Sequence, residues 1–162
     1  MENPPTNIIN AGCYIFNREV IAEIPENQVV SVERETFPKL LGSGAKVFGF
    51  VDSSYWLDIG TPAALLKASR DLLSGAIESA ATPKRSGENL ILANAQIDPS
   101  AKILNNSAIG AGCIVGANAV IDGSIIFDGA QIGSGANLKD SFVAPGFKVP
   151  SDLVAIGNFF GF

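Results

Sequence analysis

In "YWLDIGTPAALLKASRDLL", residues 55–73, a single carboxylate, Asp58, stands between an aromatic strand end and the start of a helix. Two roles fit one acid there. It can be a hydrogen-bonded turn residue, or it can hold a metal ion over a substrate. The rest of the sequence narrows its possible partners. The 162 residues contain no histidine. That removes the usual general base near neutral pH and the commonest zinc ligand. Ser-His-Asp and Cys-His catalysis are excluded with it. The two cysteines, Cys13 and Cys113, lie in different regions and form neither a disulfide framework nor a zinc site. Chemistry here must run on carboxylates, Lys, Arg, backbone amides or a bound metal.

Other candidate motifs are weaker. Asn10 reads as a turn residue, and Cys13 as a core residue on a strand. "GSGAK" (42–46) looks superficially like a phosphate loop. Its glycines follow a helix, however, where glycine is an ordinary C-cap. Ser69-Arg70-Asp71 reads as a solvated helix face.

The elements that must position these residues fall into two halves. Residues 1–90 hold 19 of the 27 charged residues, whereas 10 of the 17 glycines lie in 91–162. The boundaries expected are a first domain over 1–74, a linker over 75–90 and a second domain over 91–162. In the first, "IINAGCYIF" (8–16), "AKVFGFV" (45–51) and "YWL" (55–57) read as strands. Asn17 is a candidate cap for a short helix stopped by Pro25. Ser31 is one for "VERETFPKLL", which Pro38 shortens or kinks. Thr61 as N-cap with Pro62 in the first helical position opens a helix over 62–74, with Leu65, Leu66, Ala68, Leu72 and Leu73 on one face.

The second half repeats. Ile91, Ile97, Ile103, Ile109, Val115 and Ile121 are six apart. After "DGS" (122–124) the count slips by one and resumes at Ile126, Ile132 and Leu138. It slips again before Val143 and Val149. Four residues past most anchors stands a small residue: Ala95, Ala101, Ser107, Cys113, Ala119, Ala130 and Ala136. So glycine-rich a segment is no helix, and a flat sheet would show a period of two. Period six predicts a triangular solenoid of three to four coils, with anchors pointing inward and small residues filling a tight interior. Phe142 and Phe147 read as replacing small residues near the end. "NFFGF" (158–162) reads as a plug over the last coil or as a subunit contact.

The net charge of −5 gives no field to attract nucleic acid. No stretch approaches the ~20 apolar residues of a membrane span. The first residues lack the plan of a signal peptide, so a reducing cytoplasm is the expected location.

The repeats resemble hexapeptide repeats, which implies a left-handed parallel β-helix. Many hexapeptide proteins are acyltransferases with a histidine base, and a histidine-free chain disfavours that reading. "NIINAGCYIF", "SVERETFPKLL", "VFGF" and "YWLDIGTPAALLKASRDLL", in this order before hexapeptides, resemble the C-terminal part of a nucleoside-diphosphate-sugar pyrophosphorylase. The variety most similar is the bacterial type of mannose-1-phosphate guanylyltransferase. The fold implied is an α/β remnant of a nucleotidyltransferase domain followed by the β-helix.

Such enzymes join a nucleoside triphosphate to a sugar 1-phosphate with Mg²⁺ and release pyrophosphate. By resemblance, Asp58 matches a metal ligand, and Asn10 and Gly12 match the segment lining the sugar pocket, where a residue without Cβ lets backbone approach a ligand closely. The family's G-x-G-T-R loop, its first metal aspartate and its base-reading segment have no match here. Glu2 is at most a remnant of a neighbouring motif. The expectation is therefore a C-terminal fragment, inactive alone, whose β-helix serves assembly or regulation in a homo-oligomer. The alternative is a non-catalytic assembly module that pairs with a separate nucleotidyltransferase chain.

Overall fold

The computed structural model describes residues 6–80, 82 and 87–161. Glu2, Phe162 and linker positions 81 and 83–86 lie outside the described residues. The chain divides into two compact units, Met1–Trp56 and Leu57–Phe162.

The first unit holds short helical pieces. Helix α1 (Arg18–Ala22) follows Asn17 in extended backbone, although the Asn17 side chain makes no capping bond. A π turn over Val32–Thr36 runs directly into α2 (Phe37–Gly42). Ser31 closes the start as a capping box would. Its hydroxyl accepts from the Arg34 amide at 3.1 Å, and its own amide donates to Glu35 Oε1 at 3.0 Å. Pro38 sits in the first turn of α2, where it has no N–H to give to the π turn before it. The change from π to α pitch just before it is the break that the proline foretold.

The expected strands at 8–16, 45–51 and 55–57 do not form. A strand exists only when its backbone groups meet a neighbour's, however β-prone its residues. Among the described residues none of these segments has such a neighbour. Ile15, Phe48 and Phe50 are instead 99%, 85% and 92% exposed.

The second unit is a parallel β-solenoid of about four turns. On its first face Leu90, Ala108, Ile125, Phe142 and Phe159 stack in register, so the first coil is longer by one residue than those that follow. Two four-stranded faces complete the triangle. The anchors Ile109, Val115, Ile121, Ile126, Ile132, Leu138, Val143 and Val149 form one buried core with Cys113, Ala119, Ala130 and Ala136. Ile91 departs from the inward pattern at 50% exposure, because the first coil has a neighbour on one side only.

The slips in the count have a structural cause. In the first coil Asn105, Asn106 and Ser107 turn the third corner. In the next two coils the pairs Gly123-Ser124 and Asp140-Ser141 do so. The anchors across this shorter corner are five apart: Ile121 to Ile126 and Leu138 to Val143. At the end of the corner one backbone N–H per coil stays out of the sheet ladder. A column of fully buried serines receives it. The amide of Ser124 donates to Ser107 Oγ at 3.1 Å, that of Ser141 to Ser124 Oγ at 3.0 Å, and that of Asn158 to Ser141 Oγ at 3.2 Å. Below them the Asn89 side chain accepts from the Ser107 amide at 2.8 Å. Each serine hydroxyl in turn donates to a corner carbonyl, as Ser124 does to Asp122 O at 2.9 Å.

This column corrects the reading of Phe142. The small interior residue is Ser141, and Phe142 stands in the first-face column, stacked on Phe159 at 5.2 Å. Phe147 does take the interior position, beneath Phe160, whose ring lies 6.1 Å away and packs on the core. Phe160 thus acts as the plug, while Phe159 stays half exposed.

Helix α3 (Pro62–Ser74) belongs to this second unit. Thr61 caps it through the Ala64 amide at 3.2 Å, and Gly75 ends it at φ +81°. Leu66, Ala68 and Leu73 are buried. Arg70 corrects another expectation. It is not on a solvated face: its guanidinium donates to the Gly123 carbonyl at 2.7 Å and pairs with the Asp140 carboxylate, both at the short corner. No helix among the described residues is long and apolar enough to cross a membrane.

Removing one hydroxyl from the serine column strands a buried donor. Ser124→Ala is expected to lower solenoid stability by about 1–3 kcal/mol in denaturant unfolding. Lys148→Ala, on an exposed side chain, is expected to stay within about 0.5 kcal/mol.

Candidate functional site

The first cluster lies in the Met1–Trp56 unit. Asn10 makes a tight turn on itself: its Oδ1 accepts the Gly12 amide at 2.9 Å. Gly12 completes the turn at φ +73°, and a Cβ built there would meet nothing within 4 Å. Glycine is therefore required by backbone conformation and not by crowding from within the chain. The Asn10 side-chain amide donates to Tyr14 Oη and to Glu33 Oε1, both at 2.6 Å, and Tyr14 donates to the same carboxylate at 3.2 Å. Glu33 thus fixes which way the Asn10 amide faces. The rings of Tyr14, Phe16 and Phe37 pack together with centroids 5.1–6.0 Å apart. This ties the turn to the start of α2.

Sequence reasoning singles out Asn10 and Gly12 but gives Glu33 only a place at a helix start. Its partner lies 23 residues away, and a local pattern carries no sign of that.

Asp58 lies in the other unit, on the segment leading into α3. The turn-residue reading has a clear signature elsewhere in the chain. Asp52 accepts the Ser54 amide at 2.8 Å, and Asp98 accepts both the amide and the hydroxyl of Ser100 at 2.9 and 2.6 Å. The Ser54 amide holds the Asp52 carboxyl below the usual range, and the Ser100 hydroxyl does the same for Asp98. Asp58 does not share this pattern. It is exposed, and among the described residues its carboxylate makes no hydrogen bond or ion pair. It lies over Gly60, where an added Cβ would be 3.5 Å from Oδ2. Ile59, Pro62 and Leu65 continue from it as one wall of a shallow apolar groove whose other wall is Phe127, Phe142 and Phe159.

Among the described residues no group of three or more acids or cysteines could hold a metal ion. Asp58 fits as one oxygen ligand of a hard divalent cation, but a single carboxylate does not make a site. Cys113 is no candidate either. Burial pushes its thiol above the ordinary value, and its Sγ donates to the Phe127 carbonyl at 3.1 Å. Cys13 is exposed and not the core residue its sequence suggests, because the strand that would bury it does not form. A thiol reagent is expected to label Cys13 at once in the folded protein at pH 8 and Cys113 only on denaturation, as counted by mass spectrometry.

Two family models match. Residues 2–75 match the nucleotidyl transferase model, and residues 85–155 match the GMPPB C-terminal domain. A mannose-1-phosphate guanylyltransferase of Mycobacterium tuberculosis is 46% identical over 112 residues, which is 68% of this chain and 31% of that protein. A mannose-1-phosphate guanyltransferase of Eremothecium gossypii is 38% identical over 97 residues, 60% of this chain and 26% of the relative. A probable mannose-1-phosphate guanylyltransferase 2 of Oryza sativa subsp. japonica is 32% identical over 108 residues, 67% and 27%. The chain spans less than a third of the length of these curated relatives.

Proposed function

We propose, from the match of residues 2–75 to the nucleotidyl transferase model and of residues 85–155 to the GMPPB C-terminal domain, that the chain is the C-terminal portion of a sugar-1-phosphate nucleotidyltransferase that makes GDP-mannose from GTP and mannose 1-phosphate. The observation that carries the reading is the 46% identity running over 112 residues with a protein of that printed activity. In the reaction an oxygen of the sugar phosphate attacks the α-phosphorus of GTP. The bond from that phosphorus to pyrophosphate breaks, and pyrophosphate leaves. Bound Mg²⁺ supplies charge neutralisation on the phosphates.

The roles proposed for this chain's residues are few. Asn10 presents a fixed amide and Gly12 an uncovered backbone on the sugar side of the pocket. Glu33 and Tyr14 hold that turn before substrate arrives. Asp58 offers one carboxylate oxygen to the metal, and the remaining ligands come from the nucleotide and from protein outside these residues. No G-x-G-T-R loop occurs in the sequence to cradle the triphosphate. The 162 residues alone are therefore proposed to be inactive, with the first segment ending near residue 74 and the linker near 90. The solenoid serves assembly in a homo-oligomer, and the location is cytoplasmic.

A pyrophosphate-release assay with GTP and mannose 1-phosphate tests the reading. This chain by itself is expected to give no turnover. In the full-length enzyme that contains it, Asp58→Asn is expected to lower kcat/KM by about 10²-fold. Glu33→Gln is expected to raise the KM for sugar phosphate several-fold with kcat nearly kept. Robust turnover by the short chain, or full activity of the Asp58 variant, would refute it.

A further inference from the structure

The contacts of α3 with the solenoid carry more than packing. We propose that Arg70 is a positioning residue: by gripping Gly123 and Asp140 it fixes the register and rotation of α3 on the coils, and so fixes where Asp58 stands. The consequence for metal binding rests on the reading of Asp58 given above. The mechanical coupling does not.

The argument starts from what holds α3 down. Leu66, Ala68 and Leu73 of the helix are buried. Apolar burial is non-directional, so it resists lifting better than it resists sliding or rolling. A guanidinium is directional, because its planar fork accepts partners only along set lines. Arg70 uses two partners from successive coils: the carbonyl of Gly123, 53 residues on, and the carboxylate of Asp140, 70 residues on. Both partners occupy the same corner position, each just ahead of a column serine.

That position is left-handed in every coil, with φ of +57° at Asn106, +53° at Gly123, +50° at Asp140 and +67° at Gly157. Two of these residues meet Arg70 directly. At 123 a Cβ would overlap the guanidinium where it now lies, so a larger residue there would push the end of Arg70 aside. At 140 the residue is an aspartate, which like asparagine tolerates the left-handed region, and its carboxylate pairs with Arg70. One corner offers Arg70 a backbone carbonyl, and the next offers a carboxylate. Both partners of the ion pair are more than half buried, at 37% and 38% side-chain exposure, so water competes less than at an open surface.

From the grip to the acid the path runs back along one helix. Helix α3 has 13 residues and is about 20 Å long. The Thr61 cap and Pro62 begin it, and only Ile59 and Gly60 separate Asp58 from the cap. A roll or slide of α3 therefore carries Asp58 with it.

The test uses the full-length enzyme with Arg70→Ala and Asp140→Asn. Asparagine tolerates the left-handed corner, so the second variant removes the charge and keeps the fold. Amide hydrogen exchange is read over residues 57–66 and, as reference, over the coil residues 109–149. Both variants are expected to speed exchange at 57–66 by about tenfold and to leave the coils unchanged. The half-saturating Mg²⁺ concentration is expected to rise about tenfold, with the KM for mannose 1-phosphate within twofold. The double variant is expected to be no worse than Arg70→Ala alone, since the two residues form one grip. Unchanged exchange at 57–66 in both variants overturns the proposal. So does unchanged metal dependence in an enzyme where Asp58→Asn does shift it. If Asp58→Asn leaves metal dependence intact, the metal reading of Asp58 fails. The exchange result then still decides the grip by itself.

Discussion

At each short corner of the solenoid, a buried hydroxyl takes the place that a carbonyl has elsewhere in the sheet. The amide that ends the corner meets no carbonyl of the coil below it. At Ser124 and Ser141 it is fully buried, and an unpaired donor there would cost about 1–3 kcal/mol. Ser107, Ser124 and Ser141 remove that cost by accepting from the coil above while donating to a corner carbonyl. Asn89 starts the column, and the Asn158 amide ends it. The shortened corner therefore persists as a regular feature through the stack. That regularity sets Gly123 and Asp140 one above the other, where Arg70 reaches both. What looks in the sequence like a fault in the repeat is the place where the helix docks.

The solenoid is legible because stacking is one-dimensional: each inward position repeats once per coil, so the period survives in the sequence. The serine column is not legible, for a specific reason. A serine among alanines reads as a small residue, and Ser107 reads so. Only the constant spacing shared by Ser107, Ser124 and Ser141 separates a hydrogen-bonding column from interior filler. Counting four from Leu138 across a shortened corner also puts Phe142 in the interior position that Ser141 holds. Helix α3 is legible in the sequence, since Thr61 and Pro62 are local signals for its start. Its docking is not, because an arginine on a helix looks solvated until partners 53 and 70 residues away come beside it.

The first unit shows the opposite limit. Ile, Phe and Tyr at 8–16 and Val and Phe at 45–51 suit a strand, but pairing is a non-local event that composition cannot supply. In the candidate site the same division holds. The Asn10–Gly12 turn is local and can be read. The restraint on it, Glu33, sits across a loop and cannot.

On the proposed reading of Asp58 as a metal ligand, its place ahead of a helix fastened to a solenoid follows from ordering costs. An acid on a loose segment must be immobilised when the ligand arrives, and that cost is subtracted from affinity. An acid just ahead of a capped helix has most of its freedom removed when the protein folds. The helix can supply that only if it is itself fixed, and a close-packed coil stack yields little to small forces. A misplacement of about 1 Å at a reacting centre can cost about 10²-fold in rate. A polar grip with two directional bonds is therefore worth more here than further apolar contact of equal strength, because it specifies position as well as adhesion. The two bonds of Arg70 at the corner have that directional character, and apolar burial does not.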